Sequence, residues 1–159
     1  MGPFELRTMS EHGLLFLKIV FALQEALAKY NEANEADRAK AATLLRKMAA
    51  CLKEIDQEVA AEKPNPAKHV GSMRVYLSGF KSRFAPIIGD RKAESLEQEL
   101  MSLFDSTEGD DGPMISGFIA LKKIAEEGLV GEQHLRASLI TLVQVREQLE
   151  ATADVIEFE

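Results

Sequence analysis

The stretch Ala41 to Val59, AATLLRKMAACLKEIDQEV, decides the fold class. Within it, Ala41, Leu45, Met48, Leu52, Ile55 and Val59 fall alternately four and three residues apart. An α-helix turns once in about 3.6 residues, so these side chains line up as one apolar seam of coiled-coil type. Arg46, Lys47, Lys53, Glu54, Asp56 and Glu58 lie off the seam, towards water. A half-buried strand would need strict alternation of apolar and polar residues, and this spacing breaks it. The pattern predicts one long helix, from Ala36 to Glu62, with an apolar stripe to be covered by other helices.

Working outward, the polar run Asn31 to Glu35 reads as the turn of a helical hairpin. Before it, a first helix is expected from Ser10, a good N-cap because its hydroxyl accepts from a free backbone N–H, to Asn31. Leu14, Leu15, Phe16, Leu17, Ile19, Val20, Phe21 and Leu23 leave this helix almost no polar face. A helix apolar all round must be covered on several sides, so it is expected to be the centre of the bundle or half of an oligomer interface. Residues 1–9 are expected to be a poorly ordered tail. After the central seam, Pro64-Asn65-Pro66 breaks the chain, since neither proline donates a helical hydrogen bond. A third helix follows from Ala67 to Phe84, with Val70, Met73, Leu77, Phe80 and Phe84 on one face. A shorter fourth runs from Arg91 to Phe104. The fifth starts near Pro113 and ends at Gly128, a natural left-handed cap. The last, from Glu132 to Ile156, carries Leu135, Leu139, Leu142, Leu149 and Ile156, interrupted by Arg146.

No run of alternating β-branched residues competes with this reading. The expected fold is all-α, an antiparallel helical bundle of four long helices plus two shorter ones, forming a single domain over residues 1–159. The chain length suffices for a real core without disulfides or metal. Apolar residues make up 46% and charged residues 28%, which suits a folded domain rather than a disordered one.

A net charge of -7 opposes general nucleic-acid binding, which needs cations in excess. The single cysteine, Cys51, offers no internal disulfide and reads as a packing residue. No signal-peptide or myristoylation pattern opens the chain. The most apolar stretch, Leu14 to Leu27, is too short for a membrane span and contains Lys18 and Glu25. A cytoplasmic location without membrane contact is the expectation.

Reactive constellations are sparse. Metal-binding bundles use Glu-x-x-His pairs, and no Glu stands three residues before His12, His69 or His134. The stretch Glu11 to Leu17 resembles the first helix of hemerythrin-like bundles, but the further His ligands those require at i, i+4 spacing are missing. The acidic loop Asp105 to Gly112 fails the EF-hand register, because its sixth residue is Asp110 and its twelfth Ser116. Nucleotide-binding glycine motifs and a nucleophile elbow are absent. His134-Leu135-Arg136-Ala137-Ser138 loosely matches a histidine phosphotransfer site.

Charge is unevenly spread. Lys68, Arg74, Lys81, Arg83, Arg91 and Lys92 face only Asp90 between residues 66 and 92, whereas residues 93–111 hold seven acidic and no basic side chains. Either the basic third helix lies beside the acidic fourth, or it presents a basic face to an acidic partner. The leading expectation is a non-catalytic protein–protein interaction module that self-associates as a homodimer and takes no cofactor. Arg74, Lys81 and Arg83 would meet an acidic protein partner, and Phe16 and Phe21 a second helix. The alternatives are an internal metal or small-ligand site, of the ferritin-like or histidine-phosphotransfer sort, and anionic-ligand binding by the basic third helix.

Overall fold

The computed structural model describes residues 3–29, 33–105, 112–128 and 132–158, with residues 3–11 and 132–140 described by their backbone. The fold is an all-α helical bundle, and no strand occurs among the described residues. The helices are α1 (Pro3–Lys29), α2 (Glu35–Val59), α3 (Ala67–Ser78), α4 (Phe80–Ile88), α5 (Asp90–Leu103), α6 (Gly112–Glu126) and α7 (Glu132–Phe158).

Helix α2 is the organising element. Asn34 caps it, its side-chain oxygen accepting from the Asp37 N–H at 2.8 Å. All six seam residues are buried, and so are Ala42, Leu44, Ala49 and Cys51 on the flanks. This burial on two sides follows from its neighbours. On one side, α7 runs antiparallel to it: Arg46 pairs with Asp154 at 2.9 Å and with Glu157, while Asp56 meets Arg146 at 3.8 Å. On the other side, α3 and α4 also run antiparallel to it. The Cys51 thiol donates to the His69 carbonyl at 3.1 Å, and Arg83 donates to the Lys40 carbonyl at 3.0 Å. The small side chains of Ala41, Ala42 and Ala49 let these neighbours approach closely.

Helix α1 packs on α7 in parallel, and on α5 and α6. Gln24 donates to Gln148 at 2.9 Å and to Thr152 at 3.0 Å, and Phe16 meets Phe104 edge-on at 5.9 Å. Of the two places expected for α1, the centre of the bundle therefore belongs to α2. Helix α1 buries one side through Phe16, Ile19, Val20, Leu23 and Ala26 and leaves the other outward. Its start also differs from expectation. The helix begins at Pro3, whose missing N–H costs nothing in a first turn, so Ser10 lies within it.

The expected third helix is split at Gly79 into α3 and α4. The Gly79 N–H reaches only back to the Tyr76 carbonyl, at 3.1 Å, a tighter turn than the α-helix. Ser78 and Ser82 reinforce the break by donating to the Val75 and Gly79 carbonyls at 2.6 and 3.0 Å. Phe80 and Phe84 stack at 4.4 Å just beyond it. Helix α4 then runs through Pro86 to Ile88 and turns at Gly89, whose φ of 89° and ψ of 155° are open to glycine almost alone. The break at Pro64–Pro66 and the left-handed Gly128 fall where the sequence places them. Among the described residues, no helix is long and apolar enough to cross a membrane.

Truncating Leu52 (L52A) opens a cavity at a fully buried position and is expected to cost about 2–5 kcal/mol in urea unfolding. The same change at the exposed Leu15 should stay within about 0.5 kcal/mol. Gly89→Ala is expected to cost about 1–3 kcal/mol, because alanine must hold the same backbone angles.

Candidate interaction surface

A helix in a bundle hides one face, and the surface left over is what it can offer to other molecules. Among the described residues the large exposed apolar side chains are Leu14, Leu15, Phe21, Val75, Val155 and Phe158. Half of them sit on α1, at 48%, 40% and 44% exposure for Leu14, Leu15 and Phe21. Leu14, Phe21 and the exposed Ala28 are seven residues apart and so share a face, with half-buried Leu17 beside them. An open, shallow depression of about 560 Å3 runs along this face, lined by Lys18, Phe21, Ala22, Gln24, Glu25 and Ala28. All of these belong to one helix, so no second wall encloses a small molecule. Such a shape suits the side chains of another helix.

Lys18 and Glu25 flank the apolar stripe, and both are exposed. Neither is in an ion pair among the described residues. Gln24 marks the inner border, where its amide is spent on Gln148 and Thr152 of α7. Thr152 is buried and also donates to the Gln148 carbonyl at 2.6 Å.

The expected partner-binding residues are distributed differently. Phe21 lies on the exposed face of α1. Phe16, five residues earlier and on the opposite side of the helix, is fully buried against Phe104, and the core uses its whole ring. Arg74, expected on a free basic face, donates from Nε to the Phe104 carbonyl at the end of α5. Lys81 pairs with Glu94 at 3.4 Å, and its backbone N–H donates to Glu97 at 3.3 Å. Arg83 holds the Lys40 carbonyl on α2. The basic α3–α4 segment thus lies beside the acidic α5, with Lys81 reaching Glu94 and Glu97 across the contact. The sequence reading overlooked Lys18, Glu25 and Ala28 as surface residues. The signals were the seven-residue spacing of Leu14, Phe21 and Ala28 and the charges of Lys18 and Glu25 within the apolar stretch.

The reactive groups are placed as follows. Burial pushes the Cys51 thiol from an ordinary value of 9.0 up to about 11, with the Glu54 carboxylate adding to the shift and a backbone hydrogen bond at Met73 opposing it. Burial likewise raises the Asp56 carboxyl, and Arg146 counteracts it only in part. His69 Nδ1 lies 3.1 Å from Glu54. No three His, Cys, Asp or Glu residues gather as a metal site among the described residues. The side chain of His134, and residues 106–111 of the acidic loop, fall outside the described residues. No known protein family, no curated protein and no solved structure matches the chain.

Two measurements follow from this chemistry. Arg74→Ala removes a charged donor from a helix-end carbonyl and is expected to cost about 1–3 kcal/mol in chemical unfolding. The Cys51 pKa is raised in the fold, so the folded state holds its proton longer than the unfolded chain. Stability should therefore fall as pH rises from about 9 to about 11, and a Cys51→Ser chain should lose that slope.

Proposed function

We propose that this chain is a non-catalytic helical interaction module that self-associates through the exposed face of α1. The observation that carries the reading is the stripe of Leu14, Phe21 and Ala28 on a helix whose opposite face is already committed to the core. Covering the exposed halves of Leu14 and Phe21 gains about 1 kcal/mol each per copy. A closed symmetric pair uses the same patch twice. The engagement of Arg74, Lys81 and Arg83 within the chain supports α1 over the basic third helix as the docking face. A cytosolic setting fits the lone, buried Cys51 thiol.

Light scattering across a dilution series tests the proposal. The wild-type chain is expected to move from dimer to monomer on dilution, and Phe21→Glu to remain monomeric throughout with unchanged helix content. A wild-type chain that stays monomeric at millimolar concentration overturns self-association.

A further inference from the structure

The charges beside the α1 stripe specify how two copies meet. Lys18 and Glu25 are seven residues apart, opposite in sign and on the same flank of the stripe, with Phe21 between them. We infer that α1 pairs with α1 of a second copy in antiparallel fashion, about a two-fold axis that passes between the two helices level with Phe21. This rests on the self-association proposed above and adds its geometry.

Consider the register. Each residue rises about 1.5 Å along a helix, so Leu14 and Ala28 stand about 21 Å apart with Phe21 midway. Turning a second α1 about an axis at Phe21 sets Leu14 level with the partner's Ala28, and Phe21 beside the partner's Phe21. Large then meets small at both ends of the seam, and two rings share its centre, where offset or edge-to-face contact is favourable. The same rotation brings Lys18 within one residue's rise of the partner's Glu25, and Glu25 equally close to the partner's Lys18. Both opposite-sign pairs form at once because the pattern is its own complement under two-fold rotation. A parallel, in-register pair instead turns this flank to the opposite side of the seam in the second copy, so neither opposite-sign pair forms. Opposed helix dipoles favour the antiparallel arrangement as well.

Single-cysteine chains read the orientation directly. Cys51 is buried with its thiol held protonated, so it does not compete for cross-linking. Under mild oxidation, a mixture of Leu14→Cys and Ala28→Cys chains is expected to form a disulfide-linked pair in good yield, while either alone stays largely unlinked. Lys18→Glu should weaken the dimer roughly tenfold, because attraction becomes repulsion at two symmetric positions, and the exchange Lys18→Glu with Glu25→Lys should restore it. All four positions are exposed, and circular dichroism checks that each variant folds. Efficient linking of Leu14→Cys with itself, or a dimer indifferent to Lys18→Glu, overturns the antiparallel register while leaving self-association standing. A wild-type chain that is monomeric at every concentration overturns both.

Discussion

Everything in this bundle depends on α2 being covered from two sides at once. Its seam faces one way, but Ala42, Leu44, Ala49 and Cys51 extend the apolar surface around the helix, and a single neighbour would leave part of it wet. Helix α7 supplies one wall and the α3–α4 pair the other. The two walls then fix the remaining helices. Helix α1 packs against α7, to which the Gln24–Gln148–Thr152 hydrogen bonds tie it, and against α5 and α6, while α5 folds back on α4 after the Gly89 turn. Because the middle of the bundle is already taken, α1 is left with an apolar side that no element of the described chain covers fully.

Electrostatics plays a second, narrower part. The basic residues of α3 and α4 and the acidic residues of α5 are neighbours in sequence, joined by a one-residue turn. The Lys81–Glu94 pair is exposed and contributes little by itself. The contact from Arg74 to the Phe104 carbonyl matters more, because helix ends carry free carbonyls and partial negative charge. The three basic residues expected to meet a partner are thus engaged within the chain, Arg74 and Arg83 by backbone carbonyls and Lys81 by α5.

The all-α class, the α2 seam, the Pro64–Pro66 break and the Gly128 cap were legible in the sequence because each follows from local chemistry. Periodicity tells which side of a helix is apolar, but it does not say what covers that side. Hence the apolar excess of α1 pointed equally to the centre of the bundle and to an oligomer interface, and the central position is held by α2. Phe16 and Phe21 looked equivalent by composition, though they point to opposite sides of the helix and only one enters the core. The split at Gly79 was hidden for a related reason. Val70, Met73, Leu77, Phe80 and Phe84 keep helical spacing across it, since one tightened turn barely disturbs the stripe. The signal lay in the Ser-Gly-Phe-Lys-Ser composition, where hydroxyls compete for backbone carbonyls.

The antiparallel pairing of α2 with α7 also has a kinetic side. Arg46 meets Asp154 across 108 positions of chain, whereas the contacts of α2 with α3 are made at short separation. As the polypeptide leaves the ribosome, α2 can join α3 and α4 early, with its other flank still bare. That flank stays adhesive until α7 emerges, and the interval is when the nascent chain is most prone to misassociate. Contacts at such a separation are the ones that slow folding in general, because the entropy of closing the loop is lost before they form.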